Sequence, residues 1–245
     1  MNGIRDFIST FIPSRFLNYG RKNTDLLPDW WLTYEAAFKN APKKIPVEQD
    51  VFVVFDTETT GLDSRCHHLL SIGAVKIIAG AIVGNQYLER YFHVSEQYEY
   101  PSVLIHGILK TTGETKTIEG IRDFLQFAGT SVLVGHHVGF DVAMINAVLK
   151  KTIGKTLKNK MIDTAYLANR ITVLENYSYH KPEVESLDAL CAQYNIVMHD
   201  RHTAAGDAFL TAILFLKLTA RLKKRGILTT DDLLSTDSMQ RMHTR

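Results

Sequence analysis

The sequence predicts an α/β protein in which a mixed β-sheet is flanked by helices. Two observations point to this fold class. Residues 51–55 form a continuous apolar, β-branched and aromatic run, which is typical of a central strand buried on both faces. Further along, strand-like segments come first and are followed by alternating strand and helix patterns. That order indicates a mixed sheet covered by helices.

The individual elements follow from hydrophobic periodicity and from turn residues. The link between the second and third strands contains Gly80 and Gly84 and favours a hairpin. Strands are predicted at residues 51–55, 69–78, 85–93 and 131–135. Helices are predicted at residues 117–128, 139–151, 163–172, 186–195 and 203–224.

We expect three parts in the chain: a helical N-terminal extension with a linker at 1–50, a main domain at 51–225 and a C-terminal tail at 226–245. Within the extension, short helices are predicted at 3–10, 14–20 and 28–40. The adjacent residues Trp30 and Trp31 favour packing of the extension against the main domain, and a partner-binding or base-stacking surface is the alternative.

Composition excludes several function classes. The 245 residues carry 28 Lys and Arg against 26 Asp and Glu, for a net charge of +2. This balance argues against a histone-like, sequence-blind coating of nucleic acid, although a local basic groove remains open. The two cysteines, Cys66 and Cys191, form no disulfide framework. No apolar run approaches a membrane span, so we expect a cytoplasmic protein with no membrane partner.

A pair of acidic residues follows the first strand. Asp56 and Glu58 are two positions apart, so both side chains point to the same face if the strand continues that far. Adjacent carboxylates repel each other and require protonation or a cation. Taken alone, such a pair also arises by chance on a protein surface.

Two further acids lie on the inward faces of predicted helices. Asp141 shares a helical stripe with Ile145 and Val148, and a charge on an apolar face must be paired, protonated or bound to a metal. Buried pairing with a Lys, or a role at the helix N-terminus, is the alternative. Asp207 lies among small residues that let a helix approach a sheet closely, namely Ala204, Ala205, Gly206 and Ala208. Plain tight packing would explain these small residues equally well.

The candidate base is His202, five residues before Asp207, because imidazole accepts protons near neutral pH; an exposed bystander is the alternative. Together the four acids carry about −4, which a core tolerates only with compensation. Oxygen ligands select Mg²⁺ or Mn²⁺. Two such ions would support an in-line phosphoryl displacement, so the chemistry implied is phosphodiester hydrolysis.

Three segments carry a family resemblance. Residues 54–62 (VFDTETTGL), 135–141 (GHHVGFD) and 202–207 (HTAAGD) resemble the three motifs of the DEDDh 3′→5′ exonucleases, which include the proofreading epsilon subunit of bacterial DNA polymerase III. Residues 105–108 (IHGI) and 161–164 (MIDT) are also similar to this group. The resemblance covers residues 50–222 and implies a ribonuclease H-like fold.

The resemblance also implies roles for individual residues. It assigns two metal ions to Asp56, Glu58, Asp141 and Asp207, and the general-base role to His202. It implies that the 3′-terminal nucleotide contacts Thr59, Gly61, Leu62 and His106; an ordinary turn at Gly61 and core packing of Leu62 are the alternative. Asp163 favours a helix N-cap over a metal ligand. One departure is His137, where the family usually has Asn; this puts in doubt an interaction made by the amide.

The expected function is metal-dependent hydrolysis at the 3′ end of single-stranded nucleic acid, with DNA favoured and nucleoside 5′-monophosphates as products. An exoribonuclease that trims RNA 3′ ends, similar to ribonuclease T or oligoribonuclease, is one alternative. A polymerase accessory scaffold with little activity is another, and a DNA polymerase or repair protein is a candidate partner. The lysine-rich residues 150–160 indicate either a solvated loop or a rim that tracks phosphates.

Overall fold

A computed structural model describes residues 27–40, 45–93, 115–176 and 185–235. His106 and the helices predicted at 3–10 and 14–20 lie outside these residues. The described helices are α1 (Asp29–Ala37), α2 (Thr117–Ala128), α3 (Gly139–Ile153), α4 (Thr164–Asn176), α5 (Leu187–Gln193), α6 (Ala204–Lys223) and α7 (Thr230–Leu234). The strands are β1 (Val51–Thr59), β2 (Leu69–Ile78), β3 (Ala81–Tyr91), β4 (Val132–Gly135) and β5 (Met161–Asp163).

The five strands form one mixed sheet in the order β3-β2-β1-β4-β5. Neighbours β1, β2 and β3 pair antiparallel, whereas β4 pairs parallel with both β1 and β5. The mixed sheet flanked by helices confirms the predicted fold class.

Several boundaries differ from the prediction. β1 continues to Thr59 rather than ending at residue 55. β3 begins at Ala81, because the hairpin turn is the pair Ala79-Gly80, both with positive φ (51° and 72°), a conformation that two-residue hairpin turns require. β5 and α7 were not predicted, since three and five residues are too short to show a periodic pattern.

The sheet has a hydrophobic core on each face. Alternate residues of β1 supply the two cores: Phe52 and Val54 belong to one, Val53 and Phe55 to the other. The first core includes buried residues of α4, α5 and α6, and the second includes those of α1, α2 and α3. By the same alternation, Asp56 and Glu58 lie on the α6 side.

Helix α1 is docked on the domain through buried aromatic residues. Trp31 is fully buried, so the packing interpretation of this tryptophan is confirmed; Trp30 contacts it edge to face at 6.0 Å. The Tyr34 hydroxyl donates to Asn159 Oδ1 (2.6 Å) and accepts from the Lys158 backbone N–H (2.9 Å). Asn159 Nδ2 in turn donates to the carbonyls of Gly129 and Ser131.

The segment before β1 pairs with the segment around α7. The Val47 N–H donates to the Leu228 carbonyl, and the Thr230 N–H donates to the Ile45 carbonyl. Thr229 and Asp232 form a capping box at the start of α7, which satisfies backbone donors at the helix start. Among the described residues, no helix has the length and apolar character that crossing a membrane requires.

Candidate active site

Three carboxylates meet at the carboxyl end of β1. Because β1 extends past Glu58, Asp56 and Glu58 project from the same face. Asp207, in the first turn of α6, lies opposite them. One oxygen from each of these three residues lies within 4.8 Å of the others. Glu58 and Asp207 are buried and Asp56 is partly exposed.

Small residues make this approach possible. Gly73 of β2 pairs with Asp56, and a Cβ atom on Gly73 would lie 2.3 Å from the Ala204 backbone. A Cβ on Gly206 would lie 2.1 Å from the Asp200 carbonyl oxygen. Any side chain at either position would displace the start of α6 and so move Asp207. Gly73 was missed from the sequence, although a glycine inside a strand is a signal for close backbone approach.

Asp141 reaches the same region from the other face of the sheet. It is buried in the first turn of α3. Its Oδ1 accepts hydrogen bonds from the Thr57 backbone N–H (3.0 Å) and the Thr57 hydroxyl (2.5 Å). Asp141 lies outside the cluster of three, but its hydrogen bonds fix it to Thr57, the residue between Asp56 and Glu58, and its charge acts on both of those carboxylates.

The cluster is electrostatically unfavourable in the absence of a cation. Burial raises the pKa of Asp56 well above its usual value, and the charges of Asp141, Asp207 and Glu58 raise it further. Burial, followed by repulsion from Asp207 and Asp141, raises the pKa of Glu58 to about 7. Burial also raises the pKa of Asp141 to about 7, although the hydrogen bonds from Thr57 oppose this shift.

Arg201 brings one positive charge to these four carboxylates. It forms ion pairs with Asp207 Oδ2 and with Asp188 Oδ1. The other oxygen, Asp207 Oδ1, is buried and has no hydrogen-bond partner among the described residues. Oxygen donors with an uncompensated negative charge suit a hard divalent cation, so the residues fit a metal site. Arg201 was missed from the sequence; its place next to His202 was the available signal.

His202 lies in the loop that leads into α6. It is exposed and has φ of 65°. The loop is fixed on both sides, because Arg201 is ion-paired to Asp188 and the Thr203 hydroxyl caps α6 by accepting from the Gly206 N–H (3.0 Å). The structure thus holds His202 next to the helix that carries Asp207.

His137, which stands where the family usually has Asn, lies in the segment before α3. This residue has φ of 56°, in the left-handed region that Asn adopts more readily than most residues. Its backbone N–H donates to Asp163 Oδ1 (3.1 Å), which also accepts from the Ala165 N–H (2.9 Å). Asp163 is therefore a helix cap, as predicted. Because Asn tolerates a positive φ, the backbone conformation alone accounts for the family's usual Asn at position 137.

The ring of the adjacent His136 is held by partners at both of its nitrogens. Its ring nitrogens lie 3.0 Å from the Thr164 hydroxyl and 3.0 Å from the Glu185 carbonyl oxygen. Burial, together with the neighbouring His137, lowers the pKa of His136 to about 4. A neutral imidazole held by two partners positions the loop between β4 and α3.

The residues assigned to substrate contact occupy the turn after β1. The buried Thr59 donates its hydroxyl proton to the Gly61 carbonyl (3.0 Å). A Cβ on Gly61 would lie 2.5 Å from the His67 ring, so any side chain here would displace that ring. Leu62 is 86% exposed and is therefore no part of the core. His106 lies outside the described residues.

Relatives with similar sequences carry DNA polymerase III names. A DNA polymerase III subunit epsilon-like protein from Rhodobacter capsulatus is 33% identical over 196 residues, covering 78% of this chain and 27% of the relative. A DNA polymerase III PolC-type protein from Thermotoga petrophila is 32% identical over 198 residues, covering 80% of this chain and 13% of the relative. The chain thus matches about a quarter or less of the length of these relatives.

Solved structures with a similar fold include E. coli exonuclease I in complex with a dT13 oligonucleotide. That comparison has a TM-score of 0.60 at 16% identity, and covers 72% of this chain and 42% of the other. It identifies the fold as the ribonuclease H-like fold of these exonucleases. The family model described as Exonuclease, of the RNase_T type, matches residues 53–215, which span β1 to α6 and the four carboxylates. The chain belongs to this exonuclease family.

Proposed function

We propose that this protein is a divalent-metal-dependent 3′→5′ exonuclease of the DEDDh type that acts on single-stranded nucleic acid, with DNA favoured. The products would be nucleoside 5′-monophosphates. The observation that carries the proposal is the convergence of Asp56, Glu58 and Asp207 within 4.8 Å beside the buried Asp141. Membership of the exonuclease family and the epsilon-like relative support it.

The metal ligands would be Asp56, Glu58, Asp141 and Asp207, and the ions Mg²⁺ or Mn²⁺, because every donor is an oxygen. Two such ions, when bound, supply charge stabilisation for the attacking and departing oxygens of an in-line displacement. The chain's own contribution is a rigid frame. Thr57 holds Asp141, and the close contact of Gly73 with α6 holds Asp207 against β1.

His202 would take the proton from the attacking water. Its loop position leaves the imidazole exposed, so a water and a substrate phosphate can both reach it. Arg201 would act as a positioning residue, because its ion pairs connect the His202 loop to both Asp188 and Asp207. A shift of this loop would separate the base from the carboxylates.

The terminal nucleotide would lie on the turn after β1. Leu62 exposes an apolar side chain there, against which a terminal base can pack irrespective of its identity. Thr59 and Gly61 shape the turn that presents it. These contacts with Thr59, Gly61, Leu62 and the predicted one with His106 do not distinguish ribose from deoxyribose, and trimming of RNA 3′ ends is therefore the second substrate to test. The PolC-type and epsilon-like relatives support a polymerase as a possible partner.

The test is digestion of 5′-labelled single-stranded DNA, duplex DNA and RNA side by side, with Mg²⁺, with Mn²⁺ and with a chelator. We expect a ladder of progressively shorter 5′-labelled products from single-stranded DNA, and no products in the chelator. A circular single strand of the same sequence is the control and should stay intact. Immediate release of a 5′-labelled mononucleotide, or digestion of the circle, would contradict the proposal.

A further inference from the structure

A groove of about 740 Å³ lies beside the turn after β1. One wall is formed by residues 64–69, which are the end of the β1–β2 loop and the first residue of β2, and the other by the face of α3 from Gly139 to Lys151, with Thr117 of α2 also in the lining. His67 lines the groove, and its ring lies 2.5 Å from the position of a Cβ atom on Gly61. The groove therefore begins at the turn proposed for the terminal nucleotide.

The residues that line this groove give it a positive charge. Lys150 and Lys151 lie at its outer end and are exposed. Arg65 also lines it, although Arg65 is ion-paired with Asp63 (2.7 Å). None of the described lining residues is Asp or Glu. A positive groove beside a cluster of carboxylates would steer a polyanion towards a site that is itself negative.

The structure divides the lysine-rich segment into two groups. Lys158 is paired with Glu35 of α1 (2.9 Å), and Lys160 is paired with Asp231 of α7 (3.0 Å). Both are surface ion pairs, one with α1 and one with α7. In contrast, neither Lys150 nor Lys151 forms an ion pair with a described carboxylate. The competing explanation for Lys150 and Lys151 is a favourable interaction with the negative, C-terminal end of the α3 helix dipole.

The dimensions suit a short single strand. Twelve residue steps from Gly139 to Lys151 correspond to about 18 Å of helix, so a strand that follows the groove extends several nucleotides beyond the terminal one. The lining is partly apolar, with Val142 and Val148 on α3 and the His67 ring opposite. Apolar and aromatic surfaces contact bases without reading their sequence.

We propose that this groove, between residues 64–69 and α3, binds the single strand immediately 5′ of the terminal nucleotide, with Lys150 and Lys151 neutralising two of its phosphates. The proposal rests on the proposed function and deepens it, because it extends the substrate contact beyond the terminal nucleotide. Binding in this groove makes the enzyme prefer a strand of several nucleotides over a dinucleotide, because a dinucleotide cannot reach either lysine.

The test compares Lys150→Gln/Lys151→Gln with Lys158→Gln/Lys160→Gln. Both double variants remove two charges from the same segment, and the second affects exposed ion pairs of small energetic weight. Binding of a fluorescent (dT)₁₀ is measured by anisotropy with a chelator, from 50 to 300 mM salt. For Lys150→Gln/Lys151→Gln we expect Kd at 100 mM salt to rise about ten- to thirtyfold. A plot of the logarithm of the association constant against the logarithm of the salt concentration should become less steep by about 1.4, since each of the two phosphate contacts contributes about 0.7.

The control variant should keep the wild-type Kd and slope. An unchanged slope in Lys150→Gln/Lys151→Gln, or an equal loss in both double variants, would overturn the groove proposal. Hydrolysis of 5′-labelled (dT)₁₀ by the wild-type enzyme with Mn²⁺ tests the proposed function separately. Failure there with salt-dependent (dT)₁₀ binding intact would reject the exonuclease and keep the groove; the converse result would reject the groove alone.

Discussion

The active-site cluster and the docking site of α1 are both polar and largely buried, yet they are built in opposite ways. At the docking site, the Tyr34 hydroxyl, Asn159 and the Lys158 backbone satisfy one another, and the one orphaned atom there among the described residues is the neutral Trp31 Nε1. At the cluster, four carboxylates share one arginine, and Asp207 Oδ1 has no partner among the described residues. Crowded like charges in a buried site cost far more stability than one unpaired N–H, so the cluster is explained by what it binds and not by what it contributes to folding.

The largest effect should come from Asp56→Asn. It removes one charge from the centre of the cluster while keeping the shape of the side chain. We expect hydrolysis of single-stranded DNA to fall by about 10³-fold or more, because the metal ligands act as a unit. The circular dichroism spectrum should stay that of the wild type. Activity within about tenfold of the wild type would show that Asp56 is no ligand.

His202→Ala should have the next largest effect. Loss of a general base slows turnover by about 10²–10⁴-fold, whereas Mn²⁺ binding should be retained because His202 is not among the ligands. Single-turnover rates and Mn²⁺ titration are measured on the same preparation. Wild-type turnover in this variant would remove the base role; loss of Mn²⁺ binding would place His202 among the ligands instead.

Glu58→Gln should stabilise the chelator-treated protein at high pH. The folded-state pKa of Glu58, about 7, lies above its ordinary value, so the folded state binds the extra proton and wild-type stability falls as pH rises from about 4.5 to about 7. Glu58→Gln does not lose stability in this way, because a Gln side chain does not titrate. We expect it to be more stable than the wild type by about 1–3 kcal/mol at pH 8, and similar at pH 4.5.

Denaturant unfolding at the two pH values measures this difference. Addition of Mn²⁺ at pH 8 supplies the control, because it should stabilise the wild type more than the variant and so reverse their order. A variant that is less stable than the wild type at pH 8 without metal would mean that Glu58 is satisfied by protein groups alone.

Tyr34→Phe should have the smallest effect and should act on folding alone. It leaves Asn159 Oδ1 and the Lys158 N–H without their partner, which costs about 1–3 kcal/mol. Unfolding in urea should show this loss at every pH between 5 and 8, with no change in nuclease rate. A pH-dependent loss, or a rate change beyond twofold, would mean that the α1 dock and the active site are coupled.

The sequence predicted the sheet because β1, β2 and β4 carry apolar runs, and it predicted the carboxylates because their spacing matches the face of each element. It could not predict that Gly73 opposes Asp56, since that contact depends on strand register. The pairing of Arg201 with Asp188 and Asp207 depends on how α5 and α6 pack. Likewise, Lys150 and Lys158 look alike in the sequence. Only the position of α1, whose Glu35 forms an ion pair with Lys158, distinguishes them.

Divalent cations should bind at the carboxylate cluster. Titration of chelator-treated protein with Mn²⁺ by calorimetry, at pH 7 in two buffers of different ionisation enthalpy, tests this directly. We predict about two ions per chain and release of protons on binding, because carboxyl groups with pKa near 7 must ionise to become ligands. Heats indistinguishable from those of the Asp56→Asn/Asp207→Asn variant would contradict the account.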